Sequence, residues 1–326
     1  MGLLITTECN RRCPFCFVGP LKDGASRRMS VADVDRLCRF WKVRERSPDF
    51  GLTLLGGEPT LHPDLLAIVD AIRAHNPAVA VPLLTNLTCS TELLAGLVQR
   101  RVQFLVNLVD QTVNSPEQER DVERNLDFLD QVPGLLYNLA VTIASPGDRF
   151  DHLYRVLRSS HGRHVWSVRL GISSPGTDFA NRFPRQFSPK YGKKYVEIVT
   201  ACHQINPRLE FINECAVNLC LMSEEDYLRL SRVVRKLNLV CAEPNLDVLP
   251  GFSAQWCFAL RDVPALRVDN VFDFPDADSL RRELMRRALQ FAATTAAGCQ
   301  HAKCKTILCR GPCPAYAHWA AVSASR

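Results

Sequence analysis

Cys9, Cys13 and Cys16 stand within eight residues, in the run Glu8-Cys9-Asn10-Arg11-Arg12-Cys13-Pro14-Phe15-Cys16-Phe17, just after the apolar run Leu3-Leu4-Ile5. Soft thiolates at short spacing select zinc or an iron–sulfur cluster. The count of three is informative. A four-iron cluster held by three cysteines leaves one iron without a protein ligand, an open position like that of a catalytic zinc. The competing reading is a three-cysteine zinc site completed by a distant fourth ligand. The ligand-type rules favour the cluster.

A second motif is Gly56-Gly57-Glu58-Pro59. Two glycines allow the backbone to approach a ligand closely, and a carboxylate beside them can accept hydrogen bonds from an ammonium group. Thr85-Asn86 follows an apolar run, as a turn would. Asn107 is a polar residue inside the apolar segment Phe104–Val109, with Asp110 an alternative pocket residue. Arg169 lies among Val168, Leu170 and Ile172, so it needs an anionic partner, either a ligand or a structural carboxylate. His62 is expected to stabilise its loop and start the next helix. Downstream, Cys215, Cys220, Cys241, Cys257, Cys299, Cys304, Cys309 and Cys313 crowd the last third of the chain. Cys38, Cys89 and Cys202 fall in helices or at a strand end and read as small core hydrophobes.

The Cys-x3-Cys-x2-Cys spacing, with an aromatic before the last Cys, resembles the radical S-adenosylmethionine (radical SAM) enzymes. The resemblance implies a [4Fe-4S] cluster on Cys9, Cys13 and Cys16, with the amino and carboxylate groups of SAM on the open iron. It implies that Gly56, Gly57 and Glu58 bind the methionyl amino group and that Thr85 and Asn86 line the SAM site, although Leu87 stands where the family often has Gly. It further implies Asn107 at the ribose hydroxyls, Arg169 at the SAM carboxylate and Phe15 near the adenine. The cysteine-rich tail resembles the auxiliary-cluster extensions called SPASM and Twitch. It departs from their pattern: Gly251-x5-Cys257 is one residue long, Cys304-x4-Cys309-x3-Cys313 one short, His301 replaces a Cys, and no Cys follows Cys313. Cys241, Cys257, Cys304, Cys309 and Cys313 lead as auxiliary ligands, with Cys299 nearby and Cys215 and Cys220 behind them. The missing last Cys favours one auxiliary cluster over two. A structural zinc knuckle is the competing reading of the tail.

The elements that must position these residues alternate. Strands are expected over 2–7, 51–55, 79–85, 102–108, 135–143 and 167–172. Helices are expected over 31–43 (capped by Ser30), 64–75, 91–100, 116–131, 150–159 and 190–205. Six strand–helix units imply a parallel sheet with helices outside, an α/β partial (β/α)6 TIM-like barrel with catalytic residues at the C-terminal ends of its strands. The radical SAM resemblance implies the same barrel. The rhythm changes near residue 207, so the expected division is a barrel over 1–206 and a cysteine-rich auxiliary-cluster domain over 207–326. The tail should hold a helix over 224–237 capped by Ser223, and a hairpin near 247–258 turning at Pro250-Gly251. Leu280, Leu284, Ala288 and Phe291 at helical spacing place Arg281, Arg282, Arg286 and Arg287 on a solvated face.

The chain has 326 residues, 47% of them hydrophobic, and a net charge of +6, a mild bias without the aromatic-interleaved basic stripe of a nucleic-acid binder. No apolar run of 18 or more suggests a membrane span. Fourteen cysteines would suit a secreted disulfide protein. Eight residues before Cys9 are too few for a signal peptide, however, and the cysteines cluster at metal-ligand spacing, so a reducing cytoplasmic setting is expected.

The chemistry that the resemblance implies is reductive cleavage of SAM to a 5′-deoxyadenosyl radical, which abstracts hydrogen from an unactivated carbon. Ribosomal peptides or protein side chains are the favoured substrates, oxidised, cross-linked or epimerised. A small-molecule natural-product intermediate, dehydrogenated or epimerised, is the alternative, and a non-catalytic zinc protein is the alternative of another class. Expected partners are a reductant such as flavodoxin or ferredoxin and, with the cluster motif so near the first residue, a separate leader-peptide-binding protein. Glu214 and Asp247 are acid/base candidates by location alone.

Overall fold

The computed structural model describes residues 1–16, 18, 27–47, 50–109, 113–173, 189–213, 222–234, 246–261 and 263–296. The chain divides into two compact units. One comprises Met1–Asn107, Val113–Val132 and Pro244–Ala288; the other comprises Leu108–Thr112, Pro133–Glu243 and Leu289–Arg326.

In the first unit the strands are β1 (Gly2–Thr6), β2 (Thr53–Gly56), β3 (Pro82–Thr85), β4 (Gln103–Asn107), β8 (Asp247–Val248), β9 (Ala254–Gln255) and β10 (Arg267–Val268), in the order β10-β9-β8-β1-β2-β3-β4. From β8 to β4 the pairings found are parallel; β8, β9 and β10 pair antiparallel. β1 is buried along its whole length, as its unbroken apolar run requires of an inner parallel strand. β8 presses so closely on it that a Cβ on Gly2 would lie 2.1 Å from Asp247 Oδ1. The helices are α1 (Val31–Phe40), α2 (Leu65–His75), α3 (Thr91–Gln99), α4 (Pro116–Asp130) and, from Ala277, α8 (Ala277–Ala296).

Serines start these helices. Ser30 accepts from Asp33 N while Asp33 accepts from Ser30 N, a reciprocal capping box; Ser115 and Gln118 form another, and Ser90 caps α3. α1 stops at Phe40, earlier than expected, because Lys42 turns left-handed at φ 49° and a short 3-10 turn takes over. β3 starts at Pro82, which has no N–H to give a preceding ladder rung. The hairpin at 247–258 is present, with Gly251 at φ 89° at its turn. On α8, Leu280, Leu284 and Ala288 are buried, and Arg281, Arg282 and Arg286 face solvent.

In the second unit β5 (Tyr137–Ile143), β6 (Val165–Ile172) and β7 (Glu210–Asn213) form a parallel set in that order. α5 (Asp151–Arg158), α6 (Pro189–Ile205) and α7 (Glu224–Val233) accompany them. β7 was not expected: its four residues, Glu-Phe-Ile-Asn, are too short to show a period. Ser223 caps α7 as anticipated, accepting from Asp226 N. Among the described residues no helix is long and apolar enough to cross a membrane.

Cys38 and Cys202 are fully buried and Cys89 nearly so; burial pushes each thiol up to about 12. They therefore stay protonated near neutrality, as packing residues rather than ligands. Brief iodoacetamide treatment of the metal-free protein at pH 8, mapped by peptide mass spectrometry, is expected to modify Cys9, Cys13 and Cys16 well before Cys38, Cys89 and Cys202. Equal rates would show that the core thiols are not sealed.

Candidate functional site

The loop that leaves β1 carries the cysteine triplet at the C-terminal end of the strand, where parallel α/β folds place their chemistry. Cys9, Cys13 and Cys16 are half-buried and form no disulfide. Cys16 N donates to Cys13 O at 3.1 Å, and Arg11 N donates to Cys9 Sγ at 3.4 Å. Cys16 packs on an apolar floor of Leu4, Val18 and Leu55, joined by Leu84, Leu249 and Phe258. Phe15 is half-buried beside it.

Gly56 and Gly57 end β2 against this loop. Gly57 N donates to Thr6 O at 2.8 Å, and Glu58 N to Glu8 O at 2.6 Å. A Cβ on Gly57 would lie 2.0 Å from Glu8 O, and one on Gly56 would lie 2.5 Å from Thr6 O. The glycines are thus required by the approach of the chain to its own cysteine loop, a role the motif alone did not reveal.

Glu58 is 1% exposed. Its Oε1 accepts from Thr60 N (3.2 Å), Thr60 Oγ1 (2.7 Å) and Thr85 Oγ1 (2.7 Å), and its Oε2 accepts from Asn86 N (2.7 Å). Four donors meet the roughly four lone-pair sites of a carboxylate. They offset the cost of withdrawing the carboxylate from water. Glu58 and Thr85, expected at the SAM amino group and the SAM site, are therefore bonded to each other, across the ends of β2 and β3.

Asn86 turns the other way. Its Nδ2 donates to Asn10 Oδ1 at 2.7 Å, and its Oδ1 accepts from Thr88 N and Thr88 Oγ1. Asn10 Nδ2 donates to Thr88 Oγ1 at 2.8 Å. Arg11, 4% exposed, donates Nη1 to Asn107 O and Nη2 to Asn86 O, both at 3.1 Å. Gln118 accepts from Ser115 N in its capping box and gives its Nε2 to Asn10 O at 2.8 Å. Asn10, Arg11, Thr60, Thr88 and Gln118 are thus parts of the site that sequence reasoning missed. Ser-x-x-Gln was legible as a helix start, but nothing local marked its spare N–H for the cysteine loop.

His62 is buried, with Nε2 2.9 Å from Met29 O and Nδ1 accepting from Asp64 N at 3.1 Å. Burial lowers its pKa, so the neutral ring bridges the returning chain to the start of α2. Asn107 ends β4. Arg169 sits mid-strand on β6 in the second unit, opposite Ala140 and Ile212. Asp247 pairs with Gly2, at the N-terminal end of β1; four residues of strand, about 13 Å, separate that level from the end that carries the cysteines. That is the stability end of such a sheet, which removes the locational argument for an acid/base role. Of the six tail cysteines expected to hold metal, Cys257 is described: it forms no disulfide, is half-buried and lies N-terminal to the turn Phe258–Leu260. Cys241, Cys299, Cys304, Cys309 and Cys313 lie outside the described residues, as do Cys215, Cys220, Asp110, Glu214 and His301.

Among the described residues no three His, Cys, Asp or Glu side chains converge as one metal ion requires. A zinc ion would draw its thiolates to about 2.3 Å from one centre. A cluster spreads its thiolates over separate irons, so three soft donors on one short loop are chemically suited to it.

Residues 3–133 match the family described as the Radical SAM superfamily. The resemblance carried by the cysteine triplet therefore holds over this segment. Among curated proteins, the GTP 3′,8-cyclase of Klebsiella pneumoniae subsp. pneumoniae is 35% identical over 79 residues, 24% of each chain. That of Stenotrophomonas maltophilia is 29% identical over 145 residues, 44% of this chain and 42% of the relative. The chain thus spans about a quarter to two-fifths of the length of these relatives. Among solved structures, Streptococcus suis SuiB bound to S-adenosylmethionine superposes with a TM-score of 0.59 at 14% identity, covering 94% of this chain and 70% of SuiB. SuiB bound to precursor peptide SuiA gives 0.56 at 14% identity, over 87% and 63%. These likenesses show the fold: a mostly parallel α/β arrangement of the partial TIM-like barrel kind.

Two substitutions test the site's construction. Gly57→Ala must displace backbone rather than a flexible side chain, so reconstitution with iron and sulfide is expected to lose most bound iron while the far-ultraviolet circular dichroism stays close to wild type. Leu87, fully buried, holds φ 61°, a left-handed conformation that costs a non-glycine residue about 1–2 kcal/mol. Leu87→Gly removes that cost but leaves a cavity where large-to-small changes cost about 2–5 kcal/mol. A net loss of about 1–3 kcal/mol in urea unfolding is expected; a gain would show that strain outweighs burial there.

Proposed function

We propose that this chain is a radical SAM enzyme whose segment 3–133 holds a [4Fe-4S] cluster on Cys9, Cys13 and Cys16, with SAM at the open iron. The observation that carries the reading is the pair of backbone bonds by which Gly57 and Glu58 hold the end of β1 and the thiol-bearing loop that follows it. It binds the two motifs into one body. When bound, the cluster and SAM supply a 5′-deoxyadenosyl radical that abstracts hydrogen from an unactivated carbon. The chain's own residues hold and shield that chemistry. Gly56, Gly57 and Glu58 present the β2 turn to the methionyl end of SAM. Thr85 and Asn86 fix that turn against β3. Phe15 and the apolar floor beneath Cys16 exclude water. Asn107 at the ribose and Arg169 at the carboxylate complete the proposed SAM contacts.

In the same proposal Cys241, Cys257, Cys299, Cys304, Cys309 and Cys313, within residues 207–326, hold one auxiliary cluster, and the reaction modifies a ribosomally made peptide or protein side chain in the cytoplasm. A reductant such as flavodoxin or ferredoxin supplies the electron, and a separate protein can supply leader recognition. The shared fold with SuiB, a protein crystallised with its precursor peptide, supports a peptide substrate. A small-molecule substrate is the second reading, supported by partial identity to enzymes named for acting on GTP.

Anaerobic purification, reconstitution with iron and sulfide, and reduction by dithionite test the proposal. Release of 5′-deoxyadenosine from SAM is expected, and abolition by Cys9→Ala, Cys13→Ala or Cys16→Ala. Cys309→Ala and Cys313→Ala should lower total iron and spare uncoupled cleavage. Stoichiometric zinc with no cleavage would overturn the reading.

A further inference from the structure

We propose that Gln118, on the first turn of α4, is a positioning residue: it aims the Arg11 main-chain N–H at Cys9 Sγ and so raises the reduction potential of the cluster on Cys9, Cys13 and Cys16. The inference rests on the function proposed above. The carbonyl of Asn10 and the N–H of Arg11 are the two ends of one trans peptide, planar and pointing opposite ways. Gln118 Nε2 donates to the carbonyl end at 2.8 Å, and the N–H end donates to Cys9 Sγ at 3.4 Å. Whatever holds one end therefore directs the other. Gln118 and this peptide lie in the same unit.

The residues on either side of the peptide are anchored. Asn10 accepts from Asn86 Nδ2 and donates to Thr88 Oγ1, and Arg11 gives its guanidinium to Asn86 O and Asn107 O. A peptide between two held residues keeps one easy motion, a flip of its plane by opposed turns of ψ at Asn10 and φ at Arg11. The flip would bring a carbonyl oxygen to the thiolate in place of an N–H. The capping box needs only Gln118 Oε1, which accepts from Ser115 N at 3.0 Å. That bond also fixes the orientation of the amide, so its donor end is left for Asn10 O. Donation to the carbonyl polarises the peptide and strengthens its N–H as a donor. Hydrogen bonds to the sulfurs are among the terms that set cluster potentials. One electron from an external one-electron donor makes the cluster and its three thiolates more negative by one charge, with no bond made or broken. An N–H at the sulfur favours that more negative state.

The test uses the full chain, reconstituted anaerobically and titrated with dithionite under potential control. The triplet cluster is identified as the low-temperature paramagnetic resonance signal lost in Cys13→Ala. Gln118→Ala releases the carbonyl and is expected to lower the ratio of reduced to oxidised cluster at fixed potential about threefold, the worth of one modest hydrogen bond. Gln118→Glu keeps the cap but sets a carboxylate oxygen against Asn10 O, which favours the flipped peptide; the expected fall is about tenfold, a shift of about 59 mV for one electron. Ser115→Ala weakens the helix start while leaving the Ser115 N–H and Gln118 in place, so its ratio should match wild type. An unmoved potential in Gln118→Ala overturns the inference, because a fall in Gln118→Glu alone would be the work of added charge. A fall in Ser115→Ala equal to that in Gln118→Ala also overturns it, by marking Gln118 as helix support. A second readout needs no cluster: amide hydrogen exchange of Arg11, followed by NMR in the metal-free protein labelled with 15N-arginine. It should quicken about threefold in Gln118→Ala and stay unchanged in Ser115→Ala. If Gln118→Ala fails to keep its cluster, this exchange rate decides, and an unchanged rate overturns the inference. Absence of any signal that depends on Cys13 in the wild type would instead overturn the functional reading itself, with the exchange rate still judging whether Gln118 holds the peptide.

Discussion

The first unit depends on one buried carboxylate. Glu58 is withdrawn from water beside a turn whose glycines leave no room for a side chain, and it survives there as an acceptor because four donors surround it. Two donors come from Thr60, one from Thr85 and one from the Asn86 backbone, so the ends of β2 and β3 cannot separate without leaving the charge unpaired. Breaking such a group open costs far more than a surface ion pair, the kind that Glu283 makes with Arg286 and Arg287 on α8. The cysteine loop inherits this rigidity. Through Glu8 it hangs on the Gly57-Glu58 backbone, and through Asn10 and Arg11 on Asn86, Asn107 and Gln118.

Polar side chains at the ends of these strands therefore have two candidate uses. The sequence reading assigned Glu58, Thr85 and Asn86 to a ligand; the geometry shows them bonded to one another and to the loop. The two are compatible in one respect: a ligand that binds at main-chain atoms gains from side chains already committed to holding that main chain still. An alanine scan of such a site would mix loss of contact with loss of scaffold, and only a charge-sensitive or ligand-specific readout separates them.

Much of this was legible in the residues. The triplet declares itself by covalent spacing, and Gly56-Gly57-Glu58 by composition. The strands and helices up to Ile205 follow from apolar periodicity and serine caps, within a few residues at each end. What escaped has a physical reason. β7 is four residues long, below the length at which alternation can be counted, and β10 is two. Arg11 drew no reading because nothing near it in sequence provides the carbonyls that receive it; Asn86 and Asn107 are 75 and 96 residues away. Asp247 looked placed for chemistry until strand pairing set it beside Gly2, at the opposite end of β1 from the thiols.

The pairing of β1 with β8 also governs how the chain is made. β1 can join β2 once some fifty residues follow it, but its other edge waits for Asp247 and Val248. At about 5–20 residues per second, that interval on the ribosome lasts roughly 12–50 s. Throughout it, the strand that leads into the thiol-bearing loop has one unpaired edge, which is a template for wrong partners. The nascent protein therefore carries its thiol-bearing loop on a strand with one open edge, and only a segment made some 240 residues later closes that strand in.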